Sequence, residues 1–163
     1  MKRLLLVASL LLLTGLNALA DDAQSIVGTW RLVRVAATTS DGKILATPMG
    51  EHPNGLLTYT ADGRMSLLIT HDGRPNLSGD RLDSPAEERA RAFSTMVAYA
   101  GSYRLEGNRL VHHIEAASSQ NWVGTDLPRT VSFNGKQMTL EAPMQRRHGV
   151  EQKFEQVWER IAP

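Results

Sequence analysis

Two adjacent imidazoles, His112 and His113, are the side chains of this sequence best placed to do chemistry. They stand in Leu110-Val111-His112-His113-Ile114-Glu115, whose composition suits a β-strand, and successive side chains of a strand point to opposite faces. The pair therefore cannot chelate one ion together. His52, His71 and His148 are scattered and cysteine is absent, so neither a metal site nor another cofactor is expected. Leu110, His112 and Ile114 make the more apolar set, which puts His112 inside and His113 outside. An interior imidazole can orient a polar ligand group or act as a general base, since its ordinary pKa lies near neutrality. In the catalytic case Tyr103 or Asn121 would be the polarising donor. The plainer alternative is a core histidine bonded to tyrosine or backbone.

Gln120-Asn121-Trp122-Val123-Gly124-Thr125 offers an amide and a broad aromatic surface in a loop, suited to a ligand at the mouth of a cavity or to capping the core. In the loop at 71–81, Arg74 or Arg81 could fork a carboxylate, although an Asp80–Arg81 surface network is the simpler reading. A phosphate-binding glycine loop, a nucleophile elbow and an HExxH pair are all missing, and without cysteine there is no thiolate chemistry.

The elements that must position these groups are mostly strands. Asp62-Gly63, Gly107-Asn108 and Asn134-Gly135 each separate two short segments rich in Val, Ile, Thr, Tyr and Leu, as tight hairpins require. With segments at 29–38 and 152–161 they give eight strands. Val131 and Phe133 oppose Thr130 and Ser132; Met138 and Leu140 oppose Gln137 and Thr139. Eight sequential strands with one apolar face can close and remove exposed edges. The expected fold is mainly β, an eight-stranded antiparallel up-and-down barrel. One helix interrupts it, between the third and fourth strands. Ser84-Pro85-Ala86-Glu87 reads as an N-cap and capping box, and Ala90, Phe93, Met96, Val97 and Ala100 repeat at helical spacing, predicting a helix over about 85–100 that ends at Gly101. It would lay its apolar face on one end of the barrel as a plug or lid.

Residues 1–20 read differently from the rest. Lys2 and Arg3 precede an apolar run at 4–13, and Ala18-Leu19-Ala20 is a small-residue cleavage signal before Asp21. About ten apolar residues are too few to span a bilayer, so this is expected to be a Sec-type signal peptide, leaving a single domain over 21–163 in the periplasm or outside the cell with no stable membrane anchor. Without Lys2 and Arg3 the remaining chain has 16 basic and 17 acidic side chains, a net charge of −1. Such a chain lacks the cationic footprint that nucleic acid requires.

Gly28-Thr29-Trp30 at the start of the first strand resembles the G-x-W opening of a lipocalin. In that superfamily a basic residue of the last strand packs over the tryptophan, and Arg160 in Val157-Trp158-Glu159-Arg160 matches it. Gly55-Leu56-Leu57-Thr58-Tyr59-Thr60 with Asp62-Gly63, Met65-Ser66, Gly79-Asp80-Arg81, the His112–His113 strand and Asn121-Trp122-Val123-Gly124-Thr125 extend the likeness to the bacterial and fungal lipocalin-like domain family of the calycin superfamily. The resemblance implies a lipocalin-like barrel with a helix in the third connection, closed by Gly28, Trp30 and Arg160; the T-D-Y motif of typical lipocalins is missing. Three functions remain open. The first is a barrel holding a small, mainly hydrophobic molecule against Tyr59, Met65, Tyr99, Tyr103, His112, Asn121 and Trp122, with the helix controlling access. The second is a cofactor-free isomerase or cyclase using His112 as base with Tyr103. The third is a solid barrel acting as a protein-interaction module.

Overall fold

The computed structural model describes residues 26–147 and 149–161. The signal-like segment 1–20 with its Asp21 junction, together with His148 and Pro163, lies outside the described residues. Among the described residues there are ten strands: β1 (Gly28–Thr39), β2 (Ile44–Ala46), β3 (Asn54–Tyr59), β4 (Arg64–Thr70), β5 (Met96–Glu106), β6 (Arg109–Ala117), β7 (Asp126–Asn134), β8 (Gln137–Glu141), β9 (Gln145–Arg147) and β10 (Val150–Arg160). Eight of them run antiparallel in the order β1-β3-β4-β5-β6-β7-β8-β10. Pairing of β1 with β10, from Trp30 with Arg160 to Thr39 with Gln152, closes the ring. The barrel expected from the hairpins is therefore present. The two additional strands are three-residue pieces, β2 on the end of β1 and β9 on the start of β10, too short to carry a period of their own.

The three tight hairpins, β3–β4, β5–β6 and β7–β8, lie at the same end as Trp30 and Arg160. Gly63 takes φ 81° in the first of them, a conformation that asks for glycine. All the long connections, at 40–53, 71–95, 118–125 and 142–149, lie at the opposite end. The hairpin end is sealed. Trp30 is buried, its indole N–H donates to the Ile26 carbonyl at 2.9 Å, and the Arg160 guanidinium lies 4.1 Å from the ring centroid while donating to the Val27 carbonyl at 2.7 Å. Gly28 makes room for this stack, because a Cβ there would sit 2.6 Å from Arg160 Nη1. Arg160→Met keeps the aliphatic stem but loses the cation–π contact and the tie to Val27, so a loss of about 1–2 kcal/mol is expected in urea unfolding.

The helix differs from its expectation. α1 spans only Ala86–Ser94, between β4 and β5, which are the third and fourth strands of the barrel. Met96 to Ala100 instead open β5, pairing with Thr70 back to Ser66 on β4. The segment Met96-Val97-Ala98-Tyr99-Ala100 fits both a period of 3.6 and a period of 2, and the ladder offered by β4 decides between them. The apolar set read as one helix face is thus split: none of α1 is buried, and Phe93 remains 54% exposed. The expected serine cap is also absent. Pro85 holds the cap position, while the Ser84 hydroxyl accepts from Gly79 N–H at 3.1 Å and donates to the Asp80 carbonyl at 2.9 Å. Glu88, one residue past the glutamate of the expected capping box, accepts from the Ser78 N–H and hydroxyl and ties the loop to α1. Gly101 is not a helix terminator but a β5 residue lying against the bulge that Glu115 makes in β6.

Candidate functional site

Inside the barrel, β6 delivers His112 between two phenols. Tyr59 from β3 lies with its hydroxyl 2.7 Å from Nε2, and Tyr99 from β5 with its hydroxyl 3.2 Å from Nδ1. His112 and Tyr59 are fully buried or nearly so, and Tyr103 stands edge-on to Tyr59 with ring centroids 4.8 Å apart. The alternation of β6 puts His113 on the outer surface, where its Nδ1 meets Asp126 Oδ1 at 2.8 Å, with Arg104 Nη2 3.6 Å from the same carboxylate. That contact first, and the Arg104 charge after it, holds the Asp126 carboxyl below the usual carboxylate range.

Burial, reinforced by the positive charge of Arg129, pushes the His112 pKa down to about 3. Burial likewise raises the Tyr59 and Tyr99 hydroxyls, with Arg129 pulling the other way in both cases. At neutral pH the three groups are therefore uncharged. A neutral imidazole has one donor and one acceptor nitrogen, and two hydroxyls satisfy both. An imidazole held so far below neutrality is a weak base, and both of its nitrogens are occupied. The arrangement serves as an internal polar clasp joining β3, β5 and β6.

The other residues singled out in the sequence divide between core, mouth and surface. Met65 is buried beside Tyr59 in the core. Tyr103, the partner of His112 across the β5–β6 ladder, donates its hydroxyl to the Thr60 carbonyl at 3.0 Å. Asn121 is exposed in a short 3-10 turn. Trp122, next to it, is half-buried and stands edge-on to Tyr99, ring centroids 6.0 Å apart at 88°. The loop that carries Trp122 is pinned back to β6 by backbone bonds between Ile114 and both Gly124 and Thr125. Arg74 donates to the Ala92 carbonyl of α1, and with Arg91, Glu88 and Leu77 it lines a cleft of about 150 Å³ outside the barrel. The Arg81 backbone N–H, not its guanidinium, meets Asp80.

Burial inside the barrel is uneven. Trp30, Leu57, Met138 and Trp158 are buried at the sealed end, where Tyr103 and Leu105 are only partly so, and Ile69 and Ala37 are buried toward the loops. At the loop end Val97, Ala117, Trp122, Leu127 and Phe154 pack against the same core yet remain only half-buried. Leu127 pairs with His112 across the β6–β7 ladder and Phe154 with Ala37 across β1–β10, so both face inward. Arg129, two residues beyond Leu127, pairs with the buried Leu110 and shares that inward face. Arg129 was not singled out in the sequence, although its spacing from Val131 and Phe133 carries the signal: an odd-numbered position of β7 belongs to the apolar face whatever its residue type.

A closed eight-stranded up-and-down barrel, sealed at one end by a stacked tryptophan and arginine and rimmed with loops at the other, is a barrel of the lipocalin type. The chain belongs to the lipocalin-like domain family, which it matches over residues 27–161. It is 28% identical over 108 residues to the 4'-hydroxy-3'-methoxypropiophenone carrier protein of Aspergillus oryzae, an alignment covering 60% of this chain and 96% of that protein. Among solved structures it is similar to a lipocalin-like protein of Bacteroides uniformis, with a TM-score of 0.44 and 11% identity, covering 84% of this chain and 99% of that one. It is also similar to EF1p2_mFAP2b bound to DFHBI, with a TM-score of 0.42 and 14% identity, covering 85% of this chain and 96% of that one.

Proposed function

We propose that this protein binds a small, mainly hydrophobic molecule in the loop-end half of its barrel and acts as a carrier or scavenger outside the cytoplasm, delivered there by residues 1–20. The observation that carries the reading is the unfinished burial of the inward-facing Val97, Leu127 and Phe154, with Trp122 beside them. The barrel closes over Trp30 and Trp158 but leaves these side chains partly open beside the loops. An apolar ring with few polar groups, open on one side, suits a ligand that enters from the loops. The likeness to a carrier protein for an aromatic ketone supports the same reading.

Native mass spectrometry of protein purified from its own host is expected to show one non-covalent small-molecule adduct per chain, on a chain beginning at Asp21. Titration with N-phenyl-1-naphthylamine, an uncharged aromatic probe, is expected to quench Trp122, and Leu127→Trp, which fills the mouth, to weaken that binding at least tenfold, roughly 1.4 kcal/mol. A host-purified protein without any adduct and indifferent to the probe would overturn the proposal.

A further inference from the structure

Among the described residues, Arg129 places a cation on the half-buried inner wall. Arg129 lies on the inward face of β7, between Leu127 and Val131 along the strand and opposite Leu110. Its guanidinium donates to the neighbouring Pro128 carbonyl at 2.7 Å. Among the described residues no carboxylate lies within ion-pair distance of it. The polar groups nearest its field, Tyr59, Tyr99 and His112, are uncharged at neutral pH; Tyr99 adds a neutral side-chain hydrogen bond to Arg129, and none of the three supplies a counter-charge. Among the described residues, the pairs Arg64 with Glu115 and Arg104 with Asp126 are substantially solvent-exposed, while Arg34 with Glu155 and Lys153 with Glu141 are partly buried.

A guanidinium with only neutral partners on a partly dry wall gives up hydration without gaining a counter-charge, a standing cost that an incoming anion removes. Its planar fork suits a carboxylate, sulfonate or phenolate bidentately, and the flanking wall of Leu127, Tyr99, Trp122 and Phe154 suits an aromatic or aliphatic body. We infer that Arg129 is the specificity-determining residue of the barrel, and that the preferred ligand is an amphiphilic organic anion whose acidic group pairs with Arg129 while its apolar body lies toward the loops. The inference rests on the carrier reading above and narrows it from hydrophobic molecules in general to acidic ones.

Two probes that share an arylaminonaphthalene body and differ by one sulfonate separate the two claims: 8-anilinonaphthalene-1-sulfonate and uncharged N-phenyl-1-naphthylamine. The wild-type protein is expected to bind the sulfonate at least tenfold more tightly at moderate ionic strength. Arg129→Gln is expected to lower the sulfonate affinity about tenfold and to leave the neutral probe within about twofold. Arg129→Lys, which keeps the charge and loses the fork, should fall between. Arg74→Gln, at the cleft outside the barrel, should change neither. If both probes bind but their affinity ratio is the same in wild type and Arg129→Gln, Arg129 does not select ligands and the carrier reading stands. If neither probe binds, both readings fall. Should Arg129→Gln not fold, a wild-type ratio near one, or an Arg129→Lys ratio equal to wild type with no loss, overturns the role of the fork.

Discussion

Gly101→Ala is expected to destabilise the barrel by about 3 kcal/mol, the upper end of what overpacking ordinarily costs, and to lower the unfolding temperature by roughly 10 °C. The reason is the bulge between β5 and β6. Ala100 pairs with Ala116 but Gly101 pairs with Ile114, so one residue of β6 is skipped and the two backbones close on each other. A Cβ on Gly101 would lie 1.9 Å from the His113 carbonyl oxygen and 3.0 Å from the Glu115 backbone nitrogen. Neither atom belongs to a flexible side chain, so the ladder itself must part. It would part between Tyr99 and Tyr103, beside His112, and so would also open the internal clasp. Ser102→Ala, the adjacent substitution on the other face of the same strand, should stay within about 0.5 kcal/mol. Urea unfolding of the two variants side by side checks the prediction, and a Gly101→Ala protein as stable as Ser102→Ala would refute the bulge geometry.

The same glycine shows where the sequence is legible and where it is not. Turn chemistry is local: Asp62-Gly63, Gly107-Asn108 and Asn134-Gly135 can be read without knowing what they join, and they fix three of the hairpins that build the barrel. Strand faces are nearly as local, which is why the opposite orientations of His112 and His113 follow from position alone. The segment from Met96 to Gly101 is different. Its apolar spacing suits a helix, and only the free edge of β4, some thirty residues earlier, makes it a strand. Once it is a strand, Tyr99 turns inward to His112 and Gly101 meets the β6 bulge, neither of which a helical reading contains. Arg129 was overlooked for the opposite reason. Its register was readable, but a charged side chain does not invite assignment to an apolar face, and the lack of a carboxylate beside it emerges only when the barrel is closed. For the ligand contacts, alternation distinguishes inside from outside but not the sealed end from the open one. Met65 and Leu127 both face inward, yet they differ in burial because the strands are staggered around the ring.

The pH dependence of stability is the second large effect expected, and it isolates His112. In the unfolded chain a histidine titrates near 6.5, whereas the buried His112 is held near 3. Between these values the unfolded state binds a proton that the folded state does not, so stability falls as pH falls, by about 1.4 kcal/mol for each pH unit well inside the window. Above pH 6.5 the contribution is complete, and below about 3 no more is lost. From pH 7 to pH 5 this linkage amounts to about 2 kcal/mol, or roughly 5 °C in unfolding temperature. Other groups contribute to acid stability as well, so the measurement is a difference. His112→Gln retains hydrogen-bonding capacity toward Tyr59 and Tyr99 but cannot take the proton. The variant should be less stable at pH 7, by about 2 kcal/mol, because an amide cannot reproduce both contacts at 2.7 and 3.2 Å. Its loss between pH 7 and pH 5 should nonetheless be smaller than that of the wild type, also by about 2 kcal/mol, so that the two proteins converge in acid. Equal slopes would mean that His112 takes its proton inside the folded barrel. The polar clasp would then be able to open to solvent, and His112 would again be available as a base.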